Sequence, residues 1–382
     1  MNNSDLRRRV EVALQSFVSS RELSPPWSGR KVVIYGAGGF GRDLCKAVRQ
    51  SQNVTVLGYI DKTGTGQTLS DGLPCHHIGS DAAHRWANEN AIALIGVHNC
   101  GASLKDIKGL LVQAGFSRVV TPMEAYLSLW ESLGWRYWVG KPVDYAPAFS
   151  LIEKARSLWA DELSERLFLE TILFRVSFDL EMLATPTGPK AQYADPSVPR
   201  WNESLRMVDG GAYTGDSIQT FLDSSYRIES VHAFEPDIEN FNKLRAAAVK
   251  FPNATEISLW PCGIWSSTCR LNFNEGGGGG SNLSLQGSSS VPVVALDEAL
   301  HNQDINLIKL DVEGAEPDAL QGARRIIEKS RPGLAVCLYH QPQQLWSIPL
   351  WISALNLDYK FYYRVHEYNT FDTVLYAIPE AR

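Results

Sequence analysis

Two short apolar runs, each followed at once by a glycine-rich turn and a helical pattern, constrain this chain more than any other feature. The first is Lys31–Tyr35 with the turn Gly36–Gly41, and the second is Leu205–Val208 with the turn Asp209–Gly215. A buried strand that leads into a tight turn and a helix is the opening of a βαβ unit, in which crossover helices join parallel strands. The sequence therefore predicts an α/β fold with two Rossmann-like domains.

The length of 382 residues is sufficient for two domains and a connecting segment. We place the boundaries where proline-, glycine- and tryptophan-rich stretches interrupt the alternation of strands and helices. The predicted segments are an N-terminal arm (1–28), a Rossmann-like nucleotide-binding domain (29–126), a helical connector (127–204) and a second Rossmann-like domain (205–382).

The second predicted domain carries the longer alternation of strands and helices. Its predicted strands are Leu205–Val208, Ser230–Phe234, Thr255–Trp260, Leu307–Leu310 and Leu334–Leu338, with Tyr359–Arg364 and Thr373–Ala377 as a closing hairpin. Helices are predicted at Asp237–Lys250 and at Pro317–Lys329, where proline suits the first turn. This order predicts a seven-stranded, mostly parallel sheet with one antiparallel edge.

The bulk composition excludes several classes of protein. Hydrophobic residues make up 44% of the chain and charged residues 20%, and the formal net charge is -6 without a basic stripe, which argues against a nucleic-acid partner. No run approaches the roughly 18 apolar residues of a membrane span, and the N-terminus lacks the apolar segment of a signal peptide. We therefore expect a cytoplasmic protein, and oligomers are possible.

The first glycine turn follows the pattern G-x-G-x-x-G at Gly36, Gly38 and Gly41. Glycines at these positions permit a tight turn and close approach of a ligand, and the following helix offers free N–H groups to phosphate. Asp61 lies 20 residues beyond Gly41, at the end of the next strand, where a carboxylate can accept hydrogen bonds from a ribose. These four residues are a candidate second nucleotide site, although a turn kept for packing alone has the same pattern.

The stretches Gly36–Leu44 and Val56–Lys62 resemble the N-terminal nucleotide-binding domain of some sugar-modifying enzymes, such as acetyltransferases of the sialic-acid and bacillosamine type. The resemblance implies a nucleotide, a nucleotide-sugar or a dinucleotide as the ligand of this domain.

The second glycine turn begins with an acid, at Asp209, and continues through Gly211 and Gly215. A carboxylate so placed would repel a pyrophosphate but can accept a hydrogen bond from an ammonium group. Glu235 lies 20 residues after Gly215, at the end of the next strand, where it suits both hydroxyls of a ribose. The pair of signals predicts a site for S-adenosylmethionine.

Four blocks closely resemble the FkbM family of S-adenosylmethionine-dependent methyltransferases. They are Val208–Ser217, Phe234–Pro236, Leu296–Glu298 and Ile308–Glu316. The resemblance implies a class I methyltransferase domain and O-methylation, often of sugars or natural products. The candidate cofactor-binding residues are Asp209, Gly210, Gly211, Gly215, Ser217, Glu235, Pro236, Asn282 and Asp311.

Acidic residues follow the predicted strand Leu307–Leu310, and a histidine follows the next strand. Asp311, Glu313 and His340 are the candidate catalytic residues, because the carboxyl ends of parallel strands face the ligand crevice. Either His340 or Asp311 could take the proton of an acceptor hydroxyl while Glu313 orients it, and Asp311 could instead contact the methionine end of the donor. No metal site is assigned, although Asp311, Glu313 and Asp297 could supply oxygen ligands to magnesium.

The motifs together predict an S-adenosylmethionine-dependent O-methyltransferase that acts on a small-molecule or saccharide hydroxyl. Two alternatives remain open at this point. The first is a nucleotide-sugar oxidoreductase that works through the first domain, and the second is a non-catalytic protein that binds S-adenosylmethionine.

Overall fold

The computed structural model describes residues 2–18, 25, 27–50, 54–134, 136–139, 145–251, 256–273 and 289–380. The chain divides into two compact units. The first comprises Met1–Phe149, Leu169–Thr185 and Glu367–Phe371, and the second comprises Ser150–Phe168, Pro186–His366 and Asp372–Arg382. Parts of the predicted connector fall in both units, and the predicted boundary at residue 126 falls within a helix, so the domain limits drawn from the sequence stay a prediction.

The first unit contains a five-stranded sheet in which all neighbouring strands run parallel. Its strands are β1 (Lys31–Tyr35), β2 (Thr55–Asp61), β3 (Cys75–His77), β4 (Ile92–Ile95) and β5 (Val119–Val120). They lie in the order β3-β2-β1-β4-β5. All four residues of β4 and all but the first of β1 are buried, as expected for β-branched and apolar runs covered on both faces.

The second unit contains a seven-stranded sheet and a small three-stranded sheet. The strands are β6 (Ser204–Gly210), β7 (Arg227–Phe234), β8 (Glu256–Trp260), β9 (Gly263–Ile264), β10 (Cys269–Phe273), β11 (Ser289–Val294), β12 (Leu307–Leu310), β13 (Gly333–Cys337), β14 (Tyr359–Val365) and β15 (Thr373–Pro379). The large sheet has the order β14-β15-β13-β12-β6-β7-β8, and β15 runs antiparallel to both of its neighbours. The predicted α/β class, with a mostly parallel sheet of seven strands, is confirmed. The small sheet, β10-β11-β9, was not predicted from the sequence.

The helices of the described residues surround these strands in sequence order. They are α1 (Asn3–Val18), α2 (Gly39–Gln50), α3 (Asp81–Asn88), α4 (Leu104–Gln113), α5 (Pro122–Leu133), α6 (Phe149–Arg156), α7 (Glu162–Ser177), α8 (Asp216–Asp223), α9 (Ile238–Ala248), α10 (Leu296–Ala299), α11 (Glu316–Gly322), α12 (Arg324–Ser330) and α13 (Gln344–Ser353). In the part of the chain that the structure describes, none of them has the length and apolar character needed to cross a membrane.

One predicted helix, Pro317–Lys329, is wrong as a single element. The structure divides it at Ala323 into α11 and α12. The two carboxylate oxygens of Asp297 accept hydrogen bonds from the backbone N–H groups of Arg325 and Ile326, at 2.8 and 2.9 Å. A side chain that satisfies the first N–H groups of a helix favours a new start at that point. Asp297, which the sequence placed among possible metal ligands, is therefore occupied in capping α12.

Candidate active site

The acid-led glycine turn follows β6, at the centre of the seven-stranded sheet. Gly211 has a φ of +72°, and a Cβ atom built on it would lie 1.9 Å from the carbonyl oxygen of Asp311. No side chain fits at that distance, so the turn closes directly on the segment that follows β12. The turn after β6 and the acidic segment after β12 are therefore one continuous structure.

Asp209 is fully buried and carries its own counter-ion. The Nζ atom of Lys309 lies 3.0 Å from its carboxylate and also donates to the carbonyl oxygens of Gly210 and Gly211, at 3.1 and 2.7 Å. The hydroxyl of Ser217 donates to the second carboxylate oxygen at 2.6 Å. Asp209 and Ser217 thus hold the turn and the start of α8, and Asp209 has no exposed surface through which to meet a ligand directly.

Glu235 follows β7 and lies against the same turn. Its two carboxylate oxygens accept hydrogen bonds from the backbone N–H groups of Tyr213, at 2.9 Å, and Asp237, at 2.8 Å. The side chain is 6% exposed, and burial raises its pKa to about 7 against the opposing effect of these two N–H groups. Each oxygen keeps a lone pair, so the carboxylate can accept two further hydrogen bonds from a pair of hydroxyls.

The remaining predicted cofactor residues take different places. Gly210 is buried in β6, Pro236 is half-buried beside Glu235, and Gly215 begins α8 with a φ of +91°. A Cβ on Gly215 would lie 3.1 Å from Phe251, so this glycine is required by packing against the protein. Asn282 lies outside the described residues.

The acidic segment after β12 and the end of β13 form a cluster of four ionisable side chains, which we name the carboxylate–histidine cluster: Asp311, Glu313, Glu316 and His340. The Nε2 atom of His340 lies 3.4 Å from both Asp311 and Glu313, and its Nδ1 atom lies 2.9 Å from Glu316. His340 and Glu316 are fully buried, whereas the side chains of Asp311 and Glu313 are each 21% exposed. An acceptor would therefore meet the two carboxylates, with the histidine behind them.

The charges of the cluster depend on one another. Burial opposes the charged form of His340, but Glu316, Glu313 and Asp311 outweigh it and raise the pKa of the imidazole to about 10. Burial raises the pKa of Glu313 to about 8, against the attraction of His340. The pKa of Asp311 is lowered, because Lys309 and His340 outweigh its burial. At neutral pH His340 is thus an imidazolium that holds three carboxylates together.

Three functional candidates were missed from the sequence. Tyr193 and Tyr339 donate hydrogen bonds from their hydroxyls to the two oxygens of Asp311, at 3.0 and 3.1 Å. Glu316 accepts from the backbone N–H of Val312 at 2.9 Å and from the side chain of Gln344 at 2.5 Å, which fixes it beside His340. Glu316 had a local signal, because it closes the same acidic run. Tyr193 had none, because it lies far from Asp311 along the chain.

A metal ion is a possible occupant of such a cluster. Ligand atoms of Asp311, Glu316 and His340 lie within 4.8 Å of one another. However, Glu316 contacts Nδ1 of the imidazole and Asp311 contacts Nε2, on different edges of the ring. One ion binds one of these nitrogens, so the geometry suits an imidazolium between carboxylates better than three ligands around one cation.

The first glycine turn lies in the other unit, after β1. Gly36 begins the turn, Gly38 is exposed, and Gly41 is buried in α2. Asp61 ends β2 and accepts a hydrogen bond from the backbone N–H of Ala37 at 3.1 Å. The four residues of the candidate nucleotide site are thus close together at the carboxyl end of the five-stranded sheet.

Comparison with known proteins agrees with the architecture of the second unit. Residues 209–367 match the model of the methyltransferase FkbM domain, and no curated protein sequence matches the chain. The crystal structure of methyltransferase FkbM from Methylobacillus flagellatus KT is similar over 98% of this chain and 100% of that chain, with a TM-score of 0.81 and 22% identity. An rRNA methylase from Streptococcus thermophilus aligns with 48% of this chain and 90% of its own, with a TM-score of 0.30 and 14% identity. The chain therefore carries, over residues 209–367, a methyltransferase domain of the FkbM family.

Proposed function

We propose that the second unit transfers a methyl group from S-adenosylmethionine to a hydroxyl of a small, hydroxyl-rich acceptor such as a saccharide. The observation that carries the proposal is the direct contact between the turn at Gly211 and the backbone of Asp311. This contact brings a ribose-binding acid, a glycine turn and a carboxylate–histidine cluster to the carboxyl ends of four neighbouring strands, where α/β sheets bind ligands.

The residues around the turn fit the proposed cofactor. Glu235 offers one lone pair on each oxygen to a ribose, and the start of α8 offers backbone N–H groups. Asp209 acts indirectly, because Lys309 and Ser217 use its charge to fix the shape of the turn. Bound S-adenosylmethionine supplies a methyl group that its sulfonium charge activates for direct displacement.

The carboxylate–histidine cluster is proposed to bind the acceptor hydroxyl and to remove its proton. Glu313 is the best placed base, because its oxygen is partly exposed and has His340 as its charged neighbour at 3.4 Å. Its raised pKa, about 8, supports this role, since a base works best when its pKa is near the operating pH. His340 and Glu316 act as positioning residues, because neither side chain has exposed surface.

The preference for a hydroxyl-rich acceptor rests on the lining of the same site. Asp311 and Glu313 present partly exposed carboxylates, and two tyrosine hydroxyls contact Asp311 from behind. Neighbouring hydroxyls of a saccharide can donate to both carboxylates at once, whereas a lone hydroxyl on an apolar molecule would leave one of them without a partner.

The test measures cofactor binding and methyl transfer separately. We expect calorimetry to show binding of S-adenosylhomocysteine to the wild type, about tenfold or more weaker binding to Glu235→Ala, and wild-type binding to Glu239→Ala, a matched change of an exposed glutamate on α9. Transfer of labelled methyl from S-adenosylmethionine to monosaccharides and nucleotide-sugars should then be lost in Glu313→Gln. Unchanged binding in Glu235→Ala would refute the cofactor site. Binding without transfer to any of these acceptors would instead favour a non-catalytic binding protein.

A further inference from the structure

The five-stranded sheet of the first unit has a topological switch point that the methyltransferase reaction does not use. The chain passes from β1 outward to β2 and β3, and then returns to place β4 and β5 on the other side of β1. In open α/β sheets, ligands bind outside the carboxyl ends of the two strands where this reversal occurs. Here those ends carry the turn Gly36–Gly41, after β1, and the segment with His98, after β4.

The glycines of this turn do not all have the same structural reason. A Cβ on Gly41 would lie 2.0 Å from the carbonyl oxygen of Gly36, and a Cβ on Gly36, with its φ of +98°, would lie 2.7 Å from Val97. A Cβ on Gly38 would meet no atom within 4 Å. Packing therefore requires Gly36 and Gly41 but makes no demand on Gly38. What the missing side chain at Gly38 preserves is open space before the first turn of α2, where N–H groups can reach a phosphate.

The acid at the end of β2 repeats the arrangement seen in the second unit. Asp61 accepts from the backbone N–H of Ala37 in the turn, at 3.1 Å, and from the backbone N–H of Thr63, at 3.0 Å. Glu235 accepts in the same way from a turn residue and from the residue two positions after itself. The oxygen of Asp61 that faces the turn keeps a lone pair for a ribose hydroxyl.

His98 is an independent observation on the other side of the switch point. Its side chain is 8% exposed, and among the described residues neither ring nitrogen makes a hydrogen bond. Its ring lies 5.7 Å from that of Phe40, which is part of the glycine turn. Burial lowers the pKa of His98 to about 4, so the neutral ring keeps one donor and one acceptor. A buried polar group without a partner is costly, and a ligand in the crevice would supply one.

The charge beside the turn suits an anionic ligand. The Nε atom of Arg42 donates to the carbonyl oxygen of Ala37 at 3.0 Å, which holds an exposed guanidinium at the start of α2. The cation and the helix N-terminus act on the same side of Gly38, and both favour phosphate.

We propose that the first unit binds a nucleoside diphosphate, with the diphosphate at Gly38 and the start of α2, the ribose on Asp61, and His98 as a polar wall of the crevice. The shared chemistry is a ribose joined to a diphosphate, and it occurs both in dinucleotides and in nucleoside-diphosphate sugars. The site involves no residue of the methyltransferase domain, so it stands or falls independently of the proposed methyl transfer.

The test is calorimetric titration of the full-length protein, saturated with S-adenosylhomocysteine, with NADH, UDP-glucose, UDP and AMP. We expect binding of UDP and of at least one of the first two probes, and weaker binding of AMP, which lacks the second phosphate. Preference for NADH or for UDP-glucose identifies the source of the diphosphate.

Two pairs of variants locate the binding. Gly38→Val should weaken it at least tenfold and Asp61→Asn about tenfold, as expected for a blocked approach and for a lost charge-assisted hydrogen bond. Gly109→Val and Asp81→Asn, which change an exposed open glycine in α4 and an exposed acid in α3, should bind as the wild type does. The proposal is overturned if no probe binds at millimolar concentration, or if Asp61→Asn, folded by its melting temperature, binds with unchanged affinity.

Discussion

Glu235 makes the affinity for the cofactor depend on pH in a direction that the structure determines. Burial raises its pKa to about 7 in the unliganded protein, whereas ribose hydroxyls are best bound by the ionised carboxylate, which accepts and does not donate. About a tenth of the carboxyl groups are ionised at pH 6 and about nine tenths at pH 8 for a pKa of about 7. Affinity for S-adenosylhomocysteine should therefore rise about tenfold over this interval.

The measurement is calorimetry at pH 6, 7 and 8 on three proteins. Glu235→Gln keeps the shape of the side chain but cannot ionise, so its weaker affinity should lose the tenfold rise. Glu239→Gln, on the exposed side of α9, should keep it. The ligand and the other residues titrate identically in all three proteins, so the difference between wild type and Glu235→Gln isolates one carboxyl. Equal slopes in these two proteins would refute the reasoning.

The same carboxyl should leave a trace in the stability of the unliganded protein. Its folded pKa lies above its unfolded value of 4.5, so it contributes stability that is present below pH 4.5 and is lost as pH rises through about 7. The loss amounts to at most about 3 kcal/mol, from about 1.4 kcal/mol per pKa unit. The melting temperature of Glu235→Gln relative to wild type should accordingly rise between pH 6 and pH 8.

Four further changes test the rest of the site. Glu313→Gln should lower the rate of methyl transfer by about 10²–10⁴-fold if it is the base, with affinity for S-adenosylhomocysteine within about twofold of wild type; an unaltered rate would remove it from that role. Glu316→Gln should lower kcat and shift its pH profile by loosening His340, and a fall in kcat with an unmoved profile would indicate a merely structural residue. Gly211→Ala should abolish cofactor binding and lower the melting temperature more than Gly29→Ala, because Gly29 has a similar φ of +70° but nothing within 4 Å of its Cβ position. Methyl transfer should persist in excess chelator, and loss of activity that magnesium restores would replace the imidazolium arrangement with a metal site.

The elements that the sequence predicts well are those whose residues carry a local signal. The predicted strands Lys31–Tyr35 and Leu307–Leu310 have the bounds found in the structure, because short apolar runs between turn residues are visible without any tertiary context. The helix Pro317–Lys329 was predicted as continuous, because its break depends on Asp297, which lies elsewhere in the chain. Tyr193, which contacts Asp311, was missed for the same reason. Contacts between distant segments leave no periodicity to read.

Lys309 shows how register decides what spacing alone leaves open. Alternation along an extended strand places Lys309, Asp311 and Glu313 on one side, which suggests that the lysine neutralises the two acids. However, β12 ends at Leu310, and Lys309 is the register partner of Asp209 on the neighbouring parallel strand, so the ion pair forms between strands. The cluster is then left with three carboxylates and one imidazolium. Such a site stabilises an incoming cation and opposes an incoming anion, because partly buried charges interact at low dielectric. The hydroxyl that the cluster binds should therefore belong to a part of the acceptor that carries no phosphate or carboxylate, and any phosphate of the acceptor should lie well away from it.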